Sequence, residues 1–259
     1  MPEFCKVERD GHVFTVTMNR PEVMNSLHPA ANRELAAAWD EFEHDEHAWI
    51  GIMTGAGERA FSAGNDLKYQ ASGGDMSHQP ASGFGGLTAR LHMKKPVIAA
   101  VNGVAMGGGF EIALACDLII ADEGAIFALP EPRVGLAALA GGLQRLPRMV
   151  PLKQAMGMIL TGRRVTAQEG KELGFVTDVA PKGEVLKRAR AWAEQILECS
   201  PLSVRASKQT VMESLNVPDL KHALDNSRYE AIPEMVRSDD FVEGPKAFAE
   251  KRKPNWKGK

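Results

Sequence analysis

Short, almost wholly apolar runs set between glycine-rich turns constrain this chain more than any other feature. Trp49–Met53, Val97–Val101 and Leu118–Ala121 are brief and apolar enough to read as buried strands. Ahead of them, residues 5–9 and 12–18 alternate apolar and polar side chains about Asp10-Gly11, the pattern of a hairpin. Within residues 29–47, Leu35, Ala38, Trp39 and Phe42 fall at i, i+3, i+4 and i+7, one apolar stripe on a helix that Pro29 can open. Strand and helix thus alternate through about residue 180, which predicts an α/β fold. Past about residue 182 nothing reads as a strand. Val185, Ala189, Trp192 and Ile196 share a helical face, and Pro201 and Pro218 are placed to begin two further helices. The expected organisation is an α/β core over residues 1–200 and a helical region over 201–259, with no Pro- or Ser-rich linker and no repeat of fixed period.

Composition narrows the function. The 259 residues carry 31 Lys+Arg against 33 Asp+Glu, a formal net charge of −2, and 44% are hydrophobic. Such a balance supplies no concentrated basic face for nucleic-acid phosphates. No apolar run reaches the ~18 residues that cross a bilayer, and Met1-Pro2-Glu3-Phe4-Cys5-Lys6 does not read as a signal segment. Cys5, Cys116 and Cys199 are odd in number and lack metal-ligand spacing, so they read as unpaired thiols. The expectation is a soluble cytoplasmic protein.

Three segments have the residue types that acid–base chemistry needs. In Ala60-Phe61-Ser62-Ala63-Gly64-Asn65-Asp66-Leu67-Lys68, small residues let the backbone turn sharply and expose N–H groups. In Asn102-Gly103-Val104-Ala105-Met106-Gly107-Gly108-Gly109-Phe110-Glu111, three glycines precede the apolar helix Ile112–Cys116, leaving its first N–H groups uncovered and able to face an anion. In Phe127-Ala128-Leu129-Pro130-Glu131-Pro132, a glutamate between two prolines is expected on extended, stiffened backbone. Singly these are weak. A glycine triplet is more often a packing device, and a first-turn glutamate is usually a dipole partner. Their combination, two N–H-bearing turns with two glutamates, is the stronger signal. The Gly- and Ser-rich stretch Tyr69–Gly86 reads equally as a binding loop or as a solvated excursion.

Rival motifs fail on context. Gly55-Ala56-Gly57-Glu58-Arg59-Ala60 matches the dinucleotide fingerprint G-x-G-x-x-A, but a second turn follows it instead of a helix body. No phosphate-binding Gly-Lys-Ser/Thr and no G-x-S-x-G nucleophile elbow is present. His44 and His47, beside Asp45 and Glu46, fit a solvated helix end better than a metal face.

At these segments the sequence resembles the crotonase superfamily of enoyl-CoA hydratases and isomerases, over nearly its whole length. The likeness rests on Asn19-Arg20-Pro21 with Asn25-Ser26-Leu27, on the three segments above, on Gly141-Gly142-Leu143-Gln144-Arg145-Leu146, and on Phe248-Ala249-Glu250-Lys251-Arg252-Lys253-Pro254. It implies a spiral of ββα units with a helical C-terminal oligomerisation region, assembled as a homotrimer or dimer of trimers. It also implies an acyl-CoA thioester substrate and no metal or separate cofactor, coenzyme A being part of the substrate. Residue by residue, the backbone N–H groups of Asn65 and Gly108 would form the oxyanion hole. Glu111 would activate water and, near a helix N-terminus, be the ionised partner, while Glu131 would exchange the α-carbon proton. Ala63, Asp66, Leu67, Lys68, Phe248 and Lys251 would bind coenzyme A. The sequence departs from the hydratase pattern at Ala138-Leu139-Ala140, where Leu139 replaces a glycine and is expected to fill space beside the water site. Gly109-Phe110-Glu111, Phe127–Glu131 and Glu243-Gly244-Pro245 resemble the carnitinyl (crotonobetainyl)-CoA hydratase branch. Other activities on the same scaffold are a Δ3,Δ2-enoyl-CoA isomerase, which needs one base, and a non-catalytic acyl-CoA- or RNA-binding homologue.

Overall fold

Gly11, at φ +56°, reverses the chain between β1 (Cys5–Asp10) and β2 (Val13–Met18), which pair antiparallel from Cys5 opposite Met18 to Asp10 opposite Val13. The computed structural model describes residues 2–259, and the chain forms two units. The first comprises the chain up to Leu91 with Val97–Ala191; the second comprises His92–Pro96 with Trp192–Lys259.

The first unit holds two sheets. In the larger, β2 is followed by β3 (Ile50–Gly55), then, after β4 (Ala60–Ser62), by β5 (Val97–Val101). The small-sheet strands β6 (Val104–Met106), β8 (Ile126–Ala128) and β9 (Val165–Thr166) alternate with β7 (Leu118–Asp122) and β10 (Asp178–Ala180). The large sheet runs β1-β2-β3-β5-β7-β10 and the small one β4-β6-β8-β9. Every pair in the large sheet except β1–β2 is parallel, and β4–β6–β8 are parallel to one another. β3 and β5 are buried at every position. Strands covered on both faces need no polar alternation, so they were visible as continuous apolar runs.

The chain repeats one move. β3 joins the large sheet, β4 the small one, and helix follows; β5 and β6 do the same, then β7 and β8. Each repeat therefore delivers a turn to the carboxyl end of a small-sheet strand, where ligands of parallel sheets commonly bind. These turns are Ala63–Asp66 after β4, Gly107-Gly108 after β6 and Leu129–Glu131 after β8. The helices that follow are α2 (Leu67–Ala71) and α3 (Gly108–Ala115), and after β8 a 3-10 turn over Glu131–Val134.

The helix read around Pro29 is α1 (Pro29–His44). His28 caps it by accepting the Ala31 N–H at 3.1 Å, and Leu35, Ala38, Trp39 and Phe42 form part of its buried face. The remaining helices of this unit are α4 (Gly142–Met149), α5 (Leu152–Thr161) and α6 (Ala167–Leu173); α7 (Val185–Leu197) carries the chain onward. One aromatic cluster ties the elements that bear the two glutamates. Phe110 on α3, Phe127 on β8 and Phe175 have ring centroids 5.1–5.3 Å apart, and Phe110 and Phe127 are wholly buried.

The second unit is helical, with no strand after Ala180 among the described residues. Pro201 opens α8 (Pro201–Ser214) under a Ser200 cap. Pro218 stands one residue before the Asp219 cap of α9 (Leu220–Ala223), so the helix begins slightly later than its proline suggests. α10 (Ala231–Val236) is held to α8 by the Ala231 N–H donating to Gln209 Oε1 at 2.8 Å, and α11 (Asp239–Ala249) begins at a Ser238 cap. Buried Asp240 accepts from Ser200 Oγ, Lys257 N and Gly258 N, which fixes the chain end. No helix is long and apolar enough to cross a membrane among the described residues.

Truncating Phe127 to alanine would remove the middle of the aromatic cluster and leave a cavity between α3 and β8. The expected cost is about 3–5 kcal/mol of unfolding free energy, read as a fall in the urea midpoint at unchanged slope.

Candidate active site

The first turn is shaped by the opening motif. Arg20 donates to Ser26 O at 2.6 Å and to Asp66 Oδ2 at 2.9 Å. Asn25 Nδ2 donates to Ala60 O at 2.8 Å, and Ser62 Oγ donates to Asn25 O while accepting the Gly64 N–H. Leu27 then sits against the turn as a parallel bridge partner of Asn65: its N–H donates to Gly64 O and its carbonyl accepts the Asp66 N–H. In extended backbone, successive N–H groups point to opposite sides. With Asp66 N–H committed to Leu27, the Asn65 N–H faces away from it.

The second turn packs against the first at Gly64. Gly107, at φ +54°, pairs its N–H with Ala128 O and its carbonyl with the Glu111 N–H. Gly108 is the first residue of α3, where no intrahelical acceptor exists for its N–H. The two turns touch backbone to backbone. A Cβ on Gly64 would lie 2.8 Å from the Gly108 nitrogen, and one on Gly109 would collide with the Ser62 carbonyl. Among the described residues neither the Asn65 nor the Gly108 N–H has an acceptor.

Both glutamates reach this place. Glu111 is buried at 3% exposure, its Oε1 accepting the Gly142 N–H at 2.8 Å. Burial pushes its pKa up to about 7; the Gly142 N–H opposes the rise, Glu131 adds to it, and the Ala140 N–H and Arg145 oppose it. Loss of water thus opposes the ionisation expected of a carboxylate near a helix N-terminus. Glu131 is half-buried, with Oε2 buried and without a hydrogen-bond partner among the described residues. Burial raises its pKa too, partly offset by its own N–H. Its carboxyl lies over the second turn, Oε1 falling 2.8 Å from where a Cβ of Gly107 would be. The extended backbone expected at Glu131 is not what forms. Pro130 has ψ 5° and Glu131 opens a 3-10 turn, because Pro132 is well suited to an early helical position.

An open cavity of about 500 Å³ adjoins the turns, lined in part by Phe84, Thr88, Leu91, Leu139, Ala140 and Gly141. Phe84 packs on the second turn, its ring 2.5 Å from a would-be Cβ of Gly108. The Tyr69–Gly86 stretch is thus partly helix, in α2, and partly a loop that supplies the cavity wall. Asn32 of α1 pins it by accepting the Gly85 N–H at 2.7 Å and donating to Gln79. Leu139 is 77% exposed and lines the cavity.

The coenzyme A positions separate. Ala63, Leu67 and Lys68 lie beside the first turn, with Leu67 and Lys68 exposed. The Asp66 carboxylate is turned inward and committed, accepting the Tyr69 N–H as the cap of α2 and pairing with Arg20. Burial alone would raise its pKa, but those partners hold it below the ordinary value. The Asp66 side chain therefore serves the turn itself. Phe248 and Lys251 are exposed in the second unit. Gly142, Ala140, Phe84 and Arg20 are the site residues whose contacts went unread; only the motifs containing them were conspicuous. All three cysteines are free, and no cluster of metal-ligating side chains occurs among the described residues.

The profile of the enoyl-CoA hydratase/isomerase family matches residues 8–259. A carnitinyl-CoA dehydratase of Salmonella arizonae is 41% identical, and one of Escherichia coli K12 39% identical, each aligned over all of both chains. Among solved structures, an enoyl-CoA hydratase of Mycobacterium tuberculosis superposes with a TM-score of 0.92 at 37% identity, covering both chains fully. One of Bacillus anthracis gives 0.90 at 36%, covering 99% of this chain and all of the other.

A carboxyl whose folded pKa is raised stabilises the fold relatively at low pH and loses that advantage as pH rises through the folded value. Glu111→Gln, neutral at all pH, is therefore expected to raise the melting temperature at pH 8, where native Glu111 is charged, and to leave it nearly unchanged at pH 5. Thermal scans at the two pH values check this. The gain at pH 8 should be on the order of 1–3 kcal/mol.

Proposed function

The chain belongs to the enoyl-CoA hydratase/isomerase family, and on that premise we propose that it is a hydro-lyase that adds water reversibly across the 2,3 double bond of an enoyl-CoA thioester. The observation that carries this reading is the convergence of two unclaimed N–H groups and two partly desolvated carboxyls at the ends of adjacent strands. Water attack on the β-carbon drives the double-bond electrons toward the thioester oxygen. Fixed N–H dipoles from Asn65 and Gly108 stabilise that charge, and losing one such donor typically costs ~3–4 kcal/mol. As the C–O bond forms, ionised Glu111 takes a water proton. Protonated Glu131 gives its proton to the α-carbon as the thioester carbonyl re-forms. One water is consumed and the two carboxyls exchange protonation states; proton transfer back resets them. The cycle needs neither metal nor redox cofactor.

A general base should titrate near the working pH, and a Glu111 pKa of about 7 suits that role. An isomerase needs only one carboxyl, so the presence of both favours hydration. A second reading is supported by the relatives: dehydration of a carnitinyl-CoA thioester, the same chemistry run from the 3-hydroxyacyl side. Ala63, Leu67, Lys68, Phe248 and Lys251 are the proposed coenzyme A contacts. The proposed assembly is a cytoplasmic homotrimer or dimer of trimers, supported by apolar side chains exposed on α5, Leu152 and Leu160 among them.

With crotonyl-CoA as substrate, Glu111→Gln and Glu131→Gln should each lower kcat by roughly 10²–10⁴-fold while the protein stays folded and retains coenzyme A thioester binding by calorimetry. Full activity in either variant overturns the roles. A 3-enoyl-CoA in deuterated water detects isomerisation, and parallel kcat/KM values for crotonyl- and crotonobetainyl-CoA decide between the two acyl classes. The pH profile is a separate check. Since the base must be ionised, kcat/KM is expected to fall as pH drops below about 7.

A further inference from the structure

Arg145, in the first turns of α4, is a cation withdrawn from water without a carboxylate of its own. Its side chain is half-buried, and among the described residues it forms no ion pair. A desolvated charge left without a counter-ion is costly and calls for a physical reason. Its guanidinium is spent on carbonyls: one nitrogen donates to Thr88 O at 2.8 Å and the other approaches Ala140 O at 3.4 Å. Its plane lies against Gly141, where any Cβ would collide with the guanidinium; at φ +105° that residue is also strained for anything but glycine. The Arg145 N–H donates to Gly141 O at 2.8 Å, so main chain and side chain grip the same turn.

That turn is the one that holds Glu111. Gly142 gives its N–H to the Glu111 carboxylate at 2.8 Å, and a Cβ on Gly142 would lie 3.1 Å from Glu111 Oε1. The charged groups facing Glu111 are Glu131 from the 3-10 turn and Arg145 from α4. The other elements packed on α3, namely β4, β6 and residues 84–86, bring none, and Cys116 on α3 itself faces Arg145.

We propose that Arg145 is a positioning residue for Glu111: its guanidinium clamps the Ala140–Gly142 turn to the Thr88 wall and supplies the positive charge that favours the ionised carboxylate. It touches neither substrate nor reacting atoms. The clamp and the charge act together because a planar fork can span two carbonyls while remaining protonated at any working pH. The assignment rests on the reading of Glu111 as the base, and its test is built to stand apart from that reading.

Infrared difference titration of the protonated carboxyl band, assigned to Glu111 by its loss in Glu111→Gln, needs no substrate. In Arg145→Gln the band should titrate higher by roughly one pH unit. The acidic limb of kcat/KM should move with it and kcat should fall about tenfold to a hundredfold, with KM held within threefold. Arg145→Lys keeps the charge but not the fork, so it should titrate close to native while kcat still falls. A folded Arg145→Gln with a native titration overturns the proposal, whatever happens to kcat, because a purely structural arginine would leave the carboxyl unmoved. Should Arg145→Gln fail to fold, Arg145→Lys decides: native kcat with native titration overturns the clamp. Absence of thioester hydration in the unaltered protein would instead count against the reaction assigned above, and the infrared result would still stand on its own.

Discussion

Backbone meeting backbone, at Gly64 and Gly109, is the contact on which the rest of the site depends. Two turns from strands β4 and β6 approach so closely that a single β-carbon at either glycine would strike the opposing main chain. This closeness turns two N–H groups from separate parts of the chain toward one place. The parallel pairing of β4, β6 and β8 sets the approach, since it brings three turns to one edge of one small sheet. The buried Phe110–Phe127–Phe175 cluster then ties α3, which bears Glu111, to β8, which leads into the 3-10 turn that bears Glu131.

Desolvation is the second organising force, and it works against stability. Burial raises the pKa of both Glu111 and Glu131, and the Glu131 charge adds to the rise at Glu111. The fold tolerates this by giving Glu111 a main-chain donor, Gly142 N–H, and a nearby cation, while Glu131 Oε2 is left without a partner. An unequal environment separates the two carboxyls in readiness to hold a proton, which is what acid–base chemistry at neutral pH requires. The opening motif serves the same end from further away. Arg20, Asn25 and Leu27 do no chemistry, yet their hydrogen bonds fix the turn in which Asn65 N–H stays free.

One expectation failed for an identifiable physical reason. Prolines on both sides of Glu131 suggested extended chain, but Pro132 is equally at home in the first turn of a helix, and the chain took that option. The Asp66 carboxylate caps α2 and pairs with Arg20 forty-six residues away, a partner no local pattern announces. Leu139, set in the departure from the hydratase pattern, lies exposed in the cavity wall. The repeated ββα move leaves no fixed period, since its strands recur at unequal intervals, from Ile50 to Val97 and then Val97 to Leu118, with a long loop inside one repeat; it was carried by the family resemblance and not by periodicity.

Local chemistry was legible in the sequence because its causes are local. Continuous apolar runs reveal strands covered on both faces, Pro29 and Pro201 mark helix starts, and Gly107–Gly109 ahead of an apolar helix advertises uncovered N–H groups. The family likeness likewise lay in contiguous motifs. Tertiary structure alone decided which of these features meet: that Gly64 lies against Gly108, that Gly142 donates to Glu111, and that Arg145 grips the same turn through Ala140. The reason is that convergence depends on strand order and burial, which are properties of the whole packed chain, and a pKa follows from how much water that packing removes.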